Sequence, residues 1–286
     1  MKKLIGLCAG CCVLLGSGAM VAQDMSSEQG PPKVLVVERE WLKPGKTDAM
    51  HVKTESMFIN AMTAAKWPTH YFAAESMSGK PRVLFFVGYD SFEAWEKDNK
   101  AQEKDTTLSA ANDRALVADG ELLDETQQDV LLFHPELSLH TGDIVHDRYF
   151  EISRYQVKPG HRAEFLELVK MYVEGYGKAS DHANWATFES YYGQDNGNVY
   201  IAISKMASLA ENDKYMDDDK KFADAMGPEK MKKIADMSAD CIESEMTNLY
   251  SFNPKMSYPD DSWVKADPFW KPKAAAPAAA KKPATP

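Results

Sequence analysis

One segment of this chain is written twice, and that duplication limits the folds open to it. The run Val34 to Leu42 leads into Lys43-Pro44-Gly45, and the run Tyr149 to Val157 leads into Lys158-Pro159-Gly160, with Arg39 and Arg154 at matching places. The correspondence continues downstream. Ala74-Glu75-Ser76 matches Phe188-Glu189-Ser190, the run Val83 to Gly88 matches Val199 to Ser204, and Phe133 to Ser138 matches Phe252 to Ser257. A displacement that survives so many segments points to two tandem copies of one module.

Each copy predicts the same order of elements. A β-branched and aromatic strand comes first, and Lys-Pro-Gly stops it and opens a helix. In the second copy Phe165, Leu168, Val169, Tyr172 and Tyr176 fall on one helical stripe; in the first, Met50, Met57, Phe58, Ala61 and Ala65 do so more loosely. Two strands follow, Tyr71 to Met77 and Val83 to Tyr89, or Trp185 to Tyr191 and Val199 to Lys205. A charged helical stretch and a last strand ending at Phe133 or Phe252 complete the copy. The expected fold class is α+β: two tandem ferredoxin-like βαββαβ modules. Cys241 falls in an expected helix from Met237 to Met246, as a buried small hydrophobe.

The flanks have a different character. Lys2-Lys3, an apolar run from Leu4 to Leu15 and small residues up to Ala22 predict a signal peptide over residues 1–22, with Ala19 as the second cleavage choice. The apolar run is short for a membrane span. A polar leader over residues 23–33, a first module over 34–140, a second over 146–258 and an irregular segment over 259–286 follow. Trp263, Phe269 and Trp270 are expected to pack back on a module, and the Ala/Pro/Lys-rich end to be disordered. The expected location is periplasmic or secreted. Cys8, Cys11 and Cys12 lie in the signal, so Cys241 alone remains and no internal disulfide is expected. The net charge of −10 argues against nucleic acid and anionic lipid as partners.

Strand, Lys-Pro-Gly, amphipathic helix with an early Phe165, then hairpin: over both modules this resembles the dimeric α+β barrel superfamily, in feel closest to its NIPSNAP-like and antibiotic-biosynthesis-monooxygenase-like families. The resemblance implies two sheets closing as a barrel with an interior pocket, here within one chain. A homo-oligomer is then not required, and stable membrane insertion after signal cleavage is not expected. It also implies a choice among cofactor-free oxygenases, haem-degrading enzymes, haem-dependent dismutases and peroxidases, and members without known activity. Fold does not choose among these.

Strand parity supplies the site candidates. Arg39 shares a face with Trp41, and Arg154 recurs in the second copy; Glu75 shares a face with Tyr71, and Glu189 with Trp185 and Tyr191. The preferred reading is a structural bridge between Arg154 and Glu189, reaching across Ser204. The sharper one makes Arg154, Glu189, Trp185 and Tyr191 catalytic, with an orienting arginine and a glutamate base, and Arg39, Glu75, Tyr71, Trp41 and His182 ligand-binding. His182 lies beside Asp181, Asn184 and Trp185. Haem-degrading members use Asn, Trp and His from separate segments, which counts against that carry-over. His134, His140 and His146 recur every six residues, a period that suits neither a strand face nor a helix. No metal and no cofactor are expected from ligand spacing. The leading expectation is an exported protein that is structural or holds a small, partly aromatic molecule in its barrel. A cofactor-free monooxygenase-like enzyme and a haem-binding protein with a histidine ligand are the alternatives. The copies diverge at Tyr71 against Trp185 and His70 against Asn184, so a single site is expected, in the second module.

Overall fold

A computed structural model describes residues 30–271, apart from 195–196 and the side chains of 215 and 216. The expected signal peptide, most of the polar leader and the end of the Ala/Pro/Lys tail lie outside these residues. The first half runs β1 (Val34–Leu42), α1 (Asp48–Ala65), β2 (Tyr71–Ser76), β3 (Val83–Tyr89), α2 (Phe92–Lys104), α3 (Thr106–Gly120) and β4 (Leu123–Phe133). The second runs β5 (Tyr149–Val157), α4 (Arg162–Ala179), β6 (Ala186–Tyr192), β7 (Val199–Met206), α5 (Glu211–Cys241) and β8 (Ile242–Phe252). Both Lys-Pro-Gly turns place glycine in the left-handed region, Gly45 at φ 84° and Gly160 at φ 87°, which turns the chain into the next helix.

The strands form one closed barrel in the order β1-β3-β2-β8-β5-β7-β6-β4. Each half contributes a ferredoxin-like four-stranded sheet, β4-β1-β3-β2 and β8-β5-β7-β6. The fold is thus α+β, with two such modules pairing inside one chain. Two short seams join them. Ala74 to Ser76 of β2 pair with Tyr250 to Phe252 of β8, and Val130 to Phe133 of β4 pair with Phe188 to Tyr192 of β6. The ladders also correct the internal alignment by one residue. Arg39 opposes Leu84 and Arg154 opposes Ile201, so Val83 corresponds to Tyr200 rather than Val199.

Alternation sends one set of side chains inward. Phe72, Phe86, Phe150, Phe188, Tyr250 and Phe252 fill the barrel with contacting rings, such as Phe150 on Tyr250 at 5.4 Å. The segment after β8 is not irregular as expected. It forms α6 (Asp261–Ala266) and a 3-10 turn (Pro268–Trp270) that seat Trp263 and the fully buried Trp270 in the same cluster. The Trp270 indole donates to the Val145 carbonyl at 2.8 Å.

The expected helix around Cys241 is corrected too. Helix α5 stops at Cys241 and β8 begins at Ile242, while a break at Gly227-Pro228 divides α5 itself. The α4 stripe holds, with Phe165 and Leu168 buried. In α1 it does not: Met50 and Met57 are exposed, and the buried residues are His51 and Glu55. Among the described residues no helix is long and apolar enough to cross a membrane.

Candidate functional site

Each module lays its helices on the outer face of its sheet, and in the second module that layer is not closed. A cavity of about 740 Å³ lies between β5 to β8 and helices α4 and α5, within the size range of small-molecule sites. The sheet supplies Glu151, Ser153 and Tyr155 from β5 and Tyr200, Ala202 and Ser204 from β7. Alternate residues share a face, so these are the outward set of each strand. Rings from α4, namely Phe165, Tyr172 and Tyr176, form the opposite wall. Phe222 of α5 backs them, stacked on Tyr172 at 5.4 Å and on Tyr176 at 4.4 Å.

The chemistry of this wall is that of neutral donors. Burial raises the phenols of Tyr155, Tyr172 and Tyr176, with Glu245 adding to the effect at Tyr155 and Asp219 at Tyr176. All three keep their protons in the physiological range; Tyr176 donates its own to Asp219 at 2.5 Å and Tyr155 engages Glu245, which leaves Tyr172 placed to donate to a carbonyl or phenolate oxygen. Burial also raises the Glu151 carboxyl, leaving an acceptor of increased basicity on the sheet side.

The predicted residues divide between several places. Trp185 precedes β6 and lines the cavity; its indole N–H donates to the Leu137 carbonyl at 2.8 Å, and its ring meets Tyr176 edge-on at 5.9 Å. Asn184 lines the cavity as well, whereas His182 is exposed outside it. Tyr191 is a correction. It is 48 % exposed and joins Phe92 and Tyr192 in a surface cluster, because β6 has already run past the helix layer there.

The Arg154–Glu189 bridge is a second correction. Arg154 opposes Ile201 and points into the barrel, where it donates to Gln156 at 3.1 Å. Glu189 opposes Tyr200 and points to the helices, so the two lie on opposite faces of one sheet. Glu189 is held by Arg162 and by His134, each at 3.0 Å. Burial alone would raise its carboxyl, but these partners bring it below the usual carboxylate range.

The first copy repeats the geometry: Arg39 faces inward and is ion-paired with the buried Asp129, and Glu75 faces outward and accepts from Asn253 at 2.6 Å. Trp41 sits at the barrel's polar end with the Lys80 ammonium 5.3 Å above its ring. The three histidines of the inter-module connection do not converge. His134 meets Glu136 and Glu189, His140 meets the Ala183 carbonyl, and His146 meets Asp267.

The expectation of a ligand inside the barrel is revised as well. Rings occupy most of that interior, leaving a cavity of about 110 Å³ at the mouth closed by Trp263 and one of about 60 Å³ around Arg39, Arg82 and Arg154.

Sequence reasoning missed one assembly. Tyr71 lies in the helix–sheet layer of the first module near Glu55 and Glu40, and there Glu40 of β1, His51 and Glu55 of α1, and Asp119 of α3 come together. These four converge from segments far apart in sequence, so ligand spacing was blind to them. The usable signal was His51 and Glu55, one helical turn apart on the face α1 had to bury.

No family model matches the chain, and no curated protein matches it. Solved structures do. An anthrone oxidase-like protein is similar at a TM-score of 0.51 and 15% identity, over 80% of this chain and 93% of that one. A protein described as a candidate monooxygenase from Lactobacillus acidophilus gives 0.46 and 9%, over 78% and 94%. A variant of the chlorite dismutase of Candidatus Nitrospira defluvii gives 0.48 and 9%, over 85% and 99%. At such identities the likeness is one of architecture: the chain has the fold of the dimeric α+β barrel proteins, with both halves on one polypeptide.

Proposed function

We propose that this protein is exported and binds a small, partly aromatic molecule in the helix–sheet cavity of its second module. The observation that carries the reading is a space of about 740 Å³ walled by Phe165, Tyr172, Tyr176 and Trp185 and floored by polar side chains of β5 and β7. Flat rings slot between such walls, and a carbonyl or hydroxyl group on the ligand meets the Tyr172 phenol and Glu151. Export rests on the Lys2 to Ala22 pattern, and N-terminal sequencing of cell-purified protein, expected to start near Gln23, checks it.

A cofactor-free oxygenase-like activity is the second reading. It draws on Glu151, whose raised carboxyl beside the cavity suits proton abstraction from an activated substrate carbon or hydroxyl. A haem reading with a histidine axial ligand draws less from this site, because the described residues lining it include no histidine.

The test is mass spectrometry of natively purified protein, followed by thermal shift with a panel of small hydroxylated aromatics. The anthrone class, suggested by the name of one structural neighbour, is a first member. Ala202→Phe, which adds a ring on the cavity floor, is expected to abolish retention while leaving the far-UV spectrum unchanged. Equal retention by this variant places the ligand elsewhere.

A further inference from the structure

We propose that Glu40, His51, Glu55 and Asp119 form a binding site for one divalent transition-metal ion, buried in the first module between β1, α1 and α3. One ligand atom from each of the four lies within 4.8 Å of the other three. The His51 Nε2 is 2.8 Å from Glu40, 3.6 Å from Asp119 and 3.8 Å from Glu55. Donors held about 2.1 Å from a common ion stand roughly 3.0 to 4.2 Å apart, depending on whether the shell is tetrahedral or octahedral. The spacings around His51 therefore need only small side-chain adjustments to close on a cation.

Three further observations point to a ligand rather than to a cluster of acids. First, Glu55 is 4 % exposed, and its ion pair with His51 spans 3.8 Å, too long for a hydrogen bond. A buried carboxylate left so is costly unless something compensates it. Second, the Tyr71 hydroxyl is buried without a hydrogen-bond partner in the same layer, beside the ring of Phe85, which His51 also meets edge-on. Third, Asp119 is oriented by the Thr54 hydroxyl, which lies 2.5 Å from its carboxylate and 2.9 Å from the His51 carbonyl. Such outer partners hold metal ligands in place.

Charge gives the same answer. Three buried carboxylates face one imidazole, and Glu38 adds a fourth acid close by, so even a protonated His51 cannot balance them. A divalent cation offsets two of these charges where a protonated imidazole offsets one. Three oxygen donors with one imidazole nitrogen suit Mn²⁺, Fe²⁺ or Zn²⁺ better than thiolate-seeking ions, and the nitrogen disfavours Mg²⁺ and Ca²⁺. The rival compensation is by protons alone, with the acids remaining neutral.

The experiment uses the full mature chain, stripped with EDTA and titrated by calorimetry with MnCl₂ and ZnCl₂, with MgCl₂ as control. One equivalent of Mn²⁺ or Zn²⁺ is expected to bind, raising Tm by roughly 5–10 °C at a hundredfold excess over Kd. His51→Gln is expected to weaken binding about 100-fold or more. Glu55→Gln separates the two compensations by its metal affinity. It removes buried repulsion, so the metal-free variant melts higher than the metal-free parent, while its metal affinity falls at least about tenfold. Should His51→Gln fail to fold, Glu55→Gln decides alone. Absence of stoichiometric binding overturns the proposal, including the outcome in which Glu55→Gln stabilises a protein that takes up neither ion. Binding that both variants leave unchanged overturns it too. The second-module cavity is untouched by these substitutions, so ligand retention there is read independently.

Discussion

The helix–sheet layers of the two modules occupy equivalent places and hold opposite chemistry. In the first, α1 presses His51 and Glu55 onto a sheet that presents Glu38 and Glu40. In the second, α4 presses Phe165 and Leu168 onto a sheet that presents Ser153 and Tyr155 at the corresponding positions. His51 and Phe165 each stand three residues into their helices, and both are buried. One backbone arrangement thus carries a tight polar knot on one side and an aromatic cleft on the other. Duplication supplies the scaffold twice, and a few outward strand positions decide what each copy holds.

The largest test of this contrast is Phe165→Ala. Phe165 sits 4.7 Å from Tyr200 and 6.0 Å from Tyr155, ring to ring, and its loss is expected to cost about 3–5 kcal/mol in chemical denaturation. Ligand retention should fall with it, because the wall goes too. A cost below about 1 kcal/mol would mean that the second layer is held by something other than its rings.

Gly175→Ala comes next. A methyl group at Gly175 would fall on the Phe222 ring and crowd the Met226 sulfur, so α4 and α5 must separate. Overpacking of this kind costs about 1–3 kcal/mol, and the displaced Phe222 backs the cavity's tyrosines. Loss of stability with unchanged ligand affinity would detach that support from the site.

A further test belongs to the first module and is read against pH in metal-stripped protein. Burial and the neighbouring Glu40 and Asp119 push the Glu38 carboxyl up to about 7, from an ordinary 4.5. The folded state then binds more protons than the unfolded state across that window, so this contribution to stability is present below about 4.5 and lost as pH rises toward about 7. Glu38→Gln is expected to flatten the decline. A decline of equal steepness in the variant would assign it to Glu40 and Glu55.

Much of the architecture was legible because strong local signals coincide with element ends. Runs rich in β-branched and aromatic residues closed by Lys-Pro-Gly gave β1 and β5 to the residue. The α5–β8 junction was opaque: Cys241 passes directly into Ile242 with no turn residue between them. Parity correctly sorted Arg154 from its neighbours, and Glu189 from its own, but could not tell which face of one strand joins which face of the next. That is fixed by register, and register sets Glu189 against Tyr200. The polar knot was hidden for a different reason. A helical face is sought by its apolar residues, and α1 buries a histidine and a glutamate instead.

The placement of Trp263 and Trp270 also bears on how the molecule is made. They follow every strand of the barrel in sequence, yet they close its aromatic end, and the bond from Trp270 reaches back to Val145. A chain emerging from its N-terminus completes all eight strands before this cork exists. During that interval Phe72 and Phe252, which the cork covers, face water. The final event of assembly is therefore a local docking of about a dozen residues, fast compared with pairing distant strands. The window of exposed apolar surface is governed by when the segment through Trp270 becomes available rather than by when the strands find each other, and a chain halted short of Trp263 stays open, its rings available for association with other unfinished chains.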